Sequence, residues 1–207
     1  MRALLAACLI GAPVLAQEGT PSAPFPLATR DGTFLIGGAA ADVPAPIPFT
    51  VRVPTDAEAI WAEPNEAGDL ARLDVFGESG LTERFYAATI VLDPEGPDAA
   101  MRLYEGLAKS GFVLSIYALD PNVSWIAGDA PALAVPSVGA IGAYDDGNGN
   151  IVATRVVAFA QDGAVRGVMV AGAISTAAAG IRSESIAEDL VRTLTWRMID
   201  SIQTREN

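Results

Sequence analysis

The sequence predicts an α+β fold: a single domain with a largely antiparallel sheet that contains one strand–helix–strand unit and is covered by two main helices. Three observations predict this class. Residues 97–110 and 186–202 repeat apolar side chains at the spacings of three and four that an amphipathic helix requires. Short apolar runs alternate with glycine-containing turns, as in antiparallel hairpins. A chain of 207 residues is also long enough to build its own core.

Residues 1–16 have the pattern of a cleaved signal peptide. A single positive charge, Arg2, precedes a short apolar run, and Val14 and Ala16 place small side chains where the peptidase requires them. We expect cleavage after Ala16 and export to the periplasm or the extracellular space. The apolar run is far shorter than the roughly 20 residues that cross a bilayer. The alternative is lipidation at Cys8, which ends a short lipoprotein-like box.

Residues 17–48 are predicted to form an N-terminal arm rich in Pro, Gly and Ala, and residues 49–207 to form the α+β domain. Proline removes a backbone donor and fixes its own φ, so this composition excludes a long helix in the arm. Two apolar runs, residues 25–29 and 33–36, lie on either side of an Asp-Gly pair, which predicts a hairpin within the arm.

The first part of the domain is predicted to hold three strands and one short helix. Thr55 and Glu58 match a capping box, which predicts a short helix through Trp61. The strands alternate polar and apolar side chains, and a glycine-containing turn separates the last two. The predicted strands are residues 49–53, 70–76 and 84–92, with the turn at 77–80.

Residues 97–110 form the clearer of the two predicted helices. Pro97 suits a first helical position, and Gly111 is the expected left-handed stop. A strand predicted at residues 112–117 completes the strand–helix–strand unit over residues 84–117. The apolar face of this helix comprises Ala100, Leu103, Tyr104, Leu107 and Ala108.

Residues 138–174 are predicted to form a meander of three strands. Asn148-Gly149 and Asp162-Gly163 favour two-residue hairpin turns, because Asn, Asp and Gly accept a positive φ at low cost. Counting outward from these turns places Ile141, Val156 and Met169 in one row across the three strands. The predicted strands are residues 138–144, 151–160 and 164–174.

The second main helix is predicted at residues 186–202, near the end of the chain. Ser185 and Glu188 match a capping box, and Leu194 lies at the centre of the apolar stripe. The stripe comprises Ala187, Leu190, Val191, Leu194, Met198 and Ile202.

The composition argues against several classes of function. The chain has 13 basic and 25 acidic residues, a net charge of −12, and removal of Arg2 with the signal peptide would make it −13. Such a charge argues against nucleic acid, whose phosphates require clustered Lys and Arg, and against an anionic membrane surface. Histidine is absent and Cys8 is the only cysteine. The processed chain would therefore have no disulfide, no imidazole base, no thiol nucleophile and no zinc site made of His or Cys.

The acidic segment 145–150 suggests a metal site at first sight. Asp146, Asn148 and Asn150 match the opening of a calcium loop, which offers oxygen ligands at alternate positions. The match then ends, because Ile151 stands where that loop needs Gly and Val157 where it needs a bidentate Glu. We interpret the segment as a hairpin turn and predict no metal and no cofactor, with these Asp and Asn residues as the alternative metal site.

Other motifs are interpreted as structural. Residues 77–81 approach a nucleophile elbow, but the second Gly comes one residue early and no His exists to act as the base. Lys109 and Ser110 are adjacent at a helix end, so their side chains point in different directions. Acid pairs such as Glu63 with Glu66, or Glu184 with Glu188, are interpreted as solvated surface.

The predicted register of the meander creates one candidate ligand site. Gly142 is placed opposite Arg155, with Tyr144 two positions along, and Arg166 is placed opposite Phe159. An arginine beside a residue without a side chain can receive a carboxylate. That carboxylate belongs either to a ligand or, by the interpretation we favour, to one of the protein's own acids. Arg155, Tyr144 and Arg166 are therefore the candidate ligand-binding residues.

These observations predict an exported, soluble, acidic protein that acts as a non-enzymatic binding or accessory module. Its partner would be a protein or a small ligand, with no nucleic acid and no membrane span. The alternative is a hydrolase that uses carboxylates, as in sugar hydrolysis, because carboxylates, Tyr, Ser, Arg and Lys109 are the reactive groups that remain. The absence of His, Cys and a nucleophile motif favours the binding module.

Overall fold

The fold is built mainly from antiparallel strands, and the predicted cover of two main helices is wrong. Of the residues that the structure describes, 49% lie in strands and 16% in helices, and the three helices are short. The coordinates are a computed structural model. They describe residues 27–28, 32–39, 41, 43–54, 59–62, 69–78, 80–109, 126–145, 151–181 and 186–204.

Three helices and eleven strands make up the described part of the chain. The helices are α1 (Ala99–Lys109), α2 (Ile186–Leu190) and α3 (Leu194–Asp200). The strands are β1 (Leu27–Ala28), β2 (Thr33–Ile36), β3 (Phe49–Arg52), β4 (Ala59–Ala62), β5 (Asp69–Gly77), β6 (Gly80–Val91), β7 (Ile126–Gly128), β8 (Ser137–Asp145), β9 (Ile151–Phe159), β10 (Arg166–Ser175) and β11 (Gln203–Thr204).

The strands form two sheets. The large sheet has seven strands in the order β4-β5-β6-β10-β9-β8-β7, and the small sheet has four in the order β1-β2-β3-β11. The hairpin predicted within the arm is confirmed, because Leu27 pairs with Leu35. β6 pairs antiparallel with β5 on one side and β10 on the other. It therefore has no side left for a parallel neighbour. The first strand and the helix of the predicted strand–helix–strand unit are present, and its second strand, residues 112–117, lies outside the described residues.

The two faces of the large sheet bury separate cores. We call inner the face that packs against the small sheet and α3, where Phe85, Val157 and Val170 are fully buried. We call outer the opposite face, where α1 packs against the rows around Ala88 and Met169. Because side chains alternate along a strand, each β-strand of this sheet contributes to both cores.

Aromatic side chains tie the small sheet to the inner face. The rings of Phe49 and Phe159 meet edge to face with centroids 5.5 Å apart, a preferred aromatic geometry. Trp61 packs between Phe34 and Phe85, with centroid distances of 5.1 and 6.4 Å. Trp61 lies in β4, so the short helix predicted through it is wrong. Pairing with β5 outweighs the local capping signal, whose residues 55–58 lie outside the described residues.

The helix predicted at 97–110 is confirmed as α1, but its buried face is not the predicted stripe. Leu103 and Leu107 are buried, whereas Ala100 and Ala108 are exposed. Arg102 is buried instead, and its guanidinium donates to the backbone carbonyls of Asp93, just after β6, and Ala164, before β10. Among the described residues, no helix is long and apolar enough to cross a membrane.

The helix predicted at 186–202 is divided into α2 and α3. The hydroxyl of Thr193 donates to the carbonyl of Leu190 at 2.6 Å, and the intervening residues form a turn. Val191, predicted to belong to the apolar stripe, is 55% exposed, whereas Leu190 and Leu194 are buried. Leu190 of α2 and the apolar side chains of α3 pack against the inner face without a continuous helical axis.

The three strands of the meander are confirmed, but its register is wrong at both turns. Ile141 faces Arg155 rather than Val156, a shift of one residue that moves every side chain of β8 to the other face relative to β9. Asp145 pairs with Ile151, so the connection is longer than the predicted two-residue turn. Asp162-Gly163 does form a turn, but Val156 faces Ala171 rather than Met169, a shift of two that preserves the face.

Candidate functional site

The predicted candidate Arg155 lies on the inner face and has internal partners. Its Nη1 atom is 2.7 Å from Oδ1 of Asp200, and its Nη2 atom donates to the carbonyl of Asp129 at 3.2 Å. Its guanidinium also lies 5.7 Å from the ring centroid of Trp196, within cation–π range. The side chain is only 8% exposed. The carboxylate beside Arg155 therefore belongs to Asp200, one of the protein's own acids, which is the alternative that the sequence analysis favours.

The structure does not bring Tyr144 and Arg166 to Arg155. Tyr144 pairs with Val152 and lies on the outer face. Arg166 is the exposed first residue of β10 and faces Val91 of β6. The predicted partners also change: Gly142 faces Thr154, and Phe159 faces Val168. The register shift between β8 and β9 places Tyr144 and Arg155 on opposite faces, and the shift between β9 and β10 moves Arg166 away from Phe159.

The other motifs form no site within the part of the chain that the structure describes. Asp146, Asn148 and Asn150, the alternative calcium ligands, lie outside the described residues, as do Ser110, Glu63, Glu66 and Glu184. Within the described ranges, no three His, Cys, Asp or Glu side chains are grouped so that they could hold a metal. The turn predicted at 77–80 is confirmed, since Gly77 pairs with Gly80 and the latter has φ of 102°.

A different group of polar side chains lies on the outer face, beyond the rows that α1 covers. We call the outer polar site the group of Arg72, Asp74, Arg84, Tyr86 and Thr154. Residues of β5 alternate, so Leu73 and Val75 enter the inner core while Arg72 and Asp74 point outward. Arg84 and Tyr86 of β6 stand directly opposite Asp74 and Arg72, respectively.

A β-bulge determines which charged side chains of β5 and β6 face each other. The ladder shifts by one residue between Val75 and Phe76, where β6 carries one extra residue. Without this shift, the pairing of Gly77 with Gly80 would bring Asp74 opposite Glu83. The bulge instead brings Asp74 opposite Arg84 and sends Glu83 to the inner face. An unfavourable pair of like charges is thereby replaced by an ion pair.

The carboxylate of Asp74 is held by two arginines at once. Arg84 donates from Nε to Oδ1 at 2.7 Å and from Nη2 to Oδ2 at 3.3 Å. Arg72 donates from the same two nitrogens, at 3.1 Å to Oδ1 and 2.5 Å to Oδ2. Both contacts are bidentate, the geometry in which a planar guanidinium matches a carboxylate best. Asp74 is buried, and its side chain is only 10% exposed.

This arrangement lowers the pKa of Asp74. Burial alone would raise it, because the charged carboxylate loses water. Hydrogen bonds and attraction from Arg72 and Arg84 outweigh that effect, and the pKa of the Asp74 carboxyl falls below its ordinary value. The hydrogen bond to Asp74 likewise raises the pKa of Arg72. The two bidentate contacts hold both guanidinium groups in a fixed orientation.

Each arginine keeps donors that Asp74 does not use. A guanidinium carries five N–H groups, and the described contacts of Arg72 and Arg84 use only Nε and Nη2. The Nη1 ends are thus available to another acceptor. The side chain of Arg84 is 40% exposed and that of Arg72 is 21% exposed. Next to them, Tyr86 donates its hydroxyl hydrogen to the carboxylate of Asp69.

Thr154 lies in the same row as Arg84, two strands away. Ala173 of β10 faces Arg84 on one side and Thr154 on the other, and Gly142 of β8 follows beyond it. The Oγ1 atom of Thr154 is buried and has no hydrogen-bond partner, and the residue is only 1% exposed. A buried hydroxyl without a partner is uncommon in folded proteins and calls for an explanation. The floor between Arg84 and Thr154 carries only the methyl group of Ala173.

Comparison with known proteins does not assign this chain to a family. No protein-family model matches the sequence, and none of the curated proteins matches it significantly. One solved structure, a protein from Bacteroides thetaiotaomicron VPI-5482, resembles the chain with a TM-score of 0.37 and 9% sequence identity. The alignment covers 77% of this chain and 46% of that one, so this chain spans less than half of its length. The function must therefore be argued from the site.

Sequence reasoning missed the whole outer polar site. Strict alternation in residues 70–75 does place Arg72 and Asp74 on one face. Counting outward from the turn, however, pairs Asp74 with Glu83, which hides the ion pair with Arg84. The repulsion between these two acids in the unbulged register was the signal that the sequence offered, because it favours a bulge on β6.

Proposed function

We propose that the protein is an exported, non-enzymatic binding module and that the outer polar site is its ligand-binding surface. The observation that carries this proposal is the pair of arginines fixed on Asp74, whose Nη1 donors point away from that carboxylate. Rotamers fixed by an internal acid reduce the entropy lost on binding, so such donors suit recognition of an acceptor group. The charge, length and small-residue pattern of residues 1–16 supports the proposed export.

The buried acids favour binding over carboxylate-based hydrolysis. The buried acidic residues among those described are Asp69, Asp74 and Glu83. Asp74 binds two arginines, Asp69 accepts from Tyr86, and Glu83 accepts from the backbone of α3. A glycosidase needs one carboxyl of raised pKa that faces a second across a cleft. The pKa of Asp74 is shifted in the opposite direction.

Binding at this surface is tested by a thermal-shift screen with matched variants. Carboxylates, phosphates, sugars and neutral diols are each added to the wild type, to Arg84→Gln and to Arg192→Gln, a control that is 77% exposed. We expect at least one compound to raise the Tm of the wild type and the control but not that of Arg84→Gln. No response to any class, or an equal response in Arg84→Gln, contradicts the proposal.

The enzymatic alternative and the export are tested separately. Wild type and Asp74→Asn are incubated with chromogenic glycosides, and turnover that depends on Asp74 would contradict a non-enzymatic role. Mass spectrometry of the exported protein is expected to find Gln17 at the N-terminus. An intact Met1, or a lipid on Cys8, would contradict the proposed processing.

A further inference from the structure

The edge strand β4 has one side on which no described strand pairs with it. It is the first strand of the large sheet, and its partner there is β5. The other sheet edges are shorter: β7 has three residues, and β1 and β11 have two each. β4 has four residues, and none of them is charged or proline, which are common means of protecting an edge. The backbone groups of β4 that point away from β5 can therefore pair with another extended chain.

The outer face beside this edge exposes apolar side chains. Ile60 stands directly opposite Asp74, so it points to the outer face, and it is 59% exposed. Phe76, the diagonal neighbour of Ile60, pairs with Leu81, and each of these two is 39% exposed. α1 packs on β6, β8 and β9, away from this corner of the sheet. Adjacent exposed apolar side chains of this kind are typical of an interaction surface.

A cationic donor lies in the second strand from the edge. Ala62 follows Ile60 on the outer face and pairs with Arg72. Arg72 binds Asp74 through Nε and Nη2, and its Nη1 atom is unused. Among the described residues, Thr154 holds the only side-chain nitrogen or oxygen that is both buried and without a partner. The Nη1 atom of Arg72 is therefore reached by solvent.

The spacing of the strands determines which side chains of an added strand meet these groups. A residue that faces Ala62 from an added strand lies about 10 Å from Arg72 between Cα atoms, which is two strand spacings. A glutamate and an arginine side chain together span that distance over a methyl group. If the added strand is antiparallel, its residue two positions later faces Ile60. The edge thus fits a glutamate followed, two residues later, by an apolar side chain.

The charge of the whole chain restricts the rest of the partner. The protein carries −12, so a strongly acidic segment is repelled, and so is a second copy of this chain. Around Arg72, two arginines and two aspartates balance in charge, so a single carboxylate can gain a charge-assisted hydrogen bond there. The partner that fits is a segment with one acid and basic flanks.

We propose that β4 receives an extended segment of a partner protein as an added antiparallel strand, in which one glutamate accepts from Nη1 of Arg72 and an apolar side chain two residues later packs on Ile60. This inference rests on the proposed binding function and names the partner class. Backbone hydrogen bonds to β4 supply affinity, and the two side chains supply specificity.

The test titrates the full chain with the peptide acetyl-Lys-Thr-Glu-Thr-Val-Thr-Lys-amide and follows the NMR signals of the β4 amides and of Nε–Hε of Arg72. One control peptide has Gln for Glu, and a second exchanges Glu and Val, which reverses the antiparallel order. We expect the Glu peptide to bind about 2- to 5-fold more tightly than the Gln peptide, the range of a partly exposed ion pair. In Arg72→Gln the two should bind equally, a result that a merely structural role of Arg72 would not produce.

The apolar contact is tested with Ile60→Thr, which keeps a strand-forming residue at the edge. We expect this variant to bind the Glu peptide about 2- to 5-fold more weakly, the range of one cross-strand pair. Val191→Thr is the matched control, because Val191 is 55% exposed and lies outside β4, and it should bind as the wild type does. Circular dichroism establishes that each variant is folded.

The outcomes separate this inference from the proposed function. If the chain alone forms a dimer in sedimentation that Ile60→Thr weakens, the occupant of the edge is a second copy and the inference is wrong. If the exchanged peptide binds as tightly as the Glu peptide, the antiparallel order is wrong. If no peptide binds but a small compound binds at Arg84 in the thermal-shift screen, the proposed function stands and the partner class is wrong. If nothing binds, both proposals fail.

Discussion

The carboxylate of Glu83 on β6 caps the N-terminus of α3 at Thr195. Its Oε2 atom accepts from the backbone amide of Thr195 at 2.8 Å and from the hydroxyl of the same residue at 2.9 Å. Its Oε1 atom accepts from the amide of Leu194 at 3.1 Å. The first amides of a helix have no partner within the helix, and the side chain of Thr193 at the cap position bonds back to Leu190 instead.

Replacing Glu83 by Gln should therefore destabilise the protein. The variant keeps the size of the side chain but loses the charge that three donors share. We expect a loss of about 1.5–3 kcal/mol in the free energy of unfolding, the range of hydrogen bonds to a charged group. Urea denaturation measures it, with the exposed Glu188→Gln as the control. A loss below about 0.5 kcal/mol would mean that Glu83 is not the cap of α3.

The same contact explains why the C-terminal helix was predicted only in part. The apolar spacing of Leu190, Leu194 and Met198 is a local signal, and these residues are buried as expected. Glu83, which caps α3 where that helix begins, lies more than a hundred residues earlier in the chain. No window of residues around 186–202 contains that acid, so a continuous helix was the only interpretation that local periodicity could support.

Leu194→Ala tests whether α3 is docked through its apolar side chains. Leu194 is only 6% exposed and belongs to the inner core with Met198 and Ile199. Truncation leaves a cavity there, and we expect a loss of about 2–5 kcal/mol. Val191→Ala is the matched control, because Val191 is 55% exposed. The control should change stability by less than about 0.5 kcal/mol. Equal effects of the two variants would contradict the docking of α3.

The strands of the large sheet were easier to predict than their register. Alternation and glycine turns locate β5, β6, β8, β9 and β10 to within a few residues. Register depends on turn length, and a shift of one residue between β8 and β9 moved Arg155 from beside Gly142 to beside Ile141. The predicted ligand site depended on that single count. The bulge near Phe76 hid the ion pair of Asp74 with Arg84 for the same reason.

Asp74→Asn should change how stability depends on pH. The pKa of Asp74 is lowered in the folded protein, so its charged form stabilises the fold above the unfolded-state pKa of about 3.9. That contribution disappears as the pH falls through the lower folded-state pKa. Above about pH 5 we expect the variant to be less stable than the wild type by about 1.5–3 kcal/mol. The difference should narrow below about pH 4.

Urea denaturation from pH 3 to pH 7 measures this difference, with Glu78→Gln in the exposed turn as the control. The control should follow the wild type at every pH. A difference between wild type and Asp74→Asn that stays constant or widens toward acid would contradict the lowered pKa. It would also mean that the two arginines do not hold the carboxylate as described.

Thr154→Val and Thr176→Val should change stability in opposite directions. Both threonines are buried, but the hydroxyl of Thr176 donates to the carbonyl of Ile151 at 2.7 Å whereas that of Thr154 has no partner. Valine has nearly the same shape and suits a strand. At Thr154 it removes an unsatisfied polar atom, and we expect a gain of about 1 kcal/mol. At Thr176 it removes a hydrogen bond, and we expect a loss of about 1 kcal/mol.

Thermal and urea unfolding of the ligand-free protein measure the change in stability of both variants. A loss of stability in Thr154→Val would mean that its hydroxyl has a structural partner.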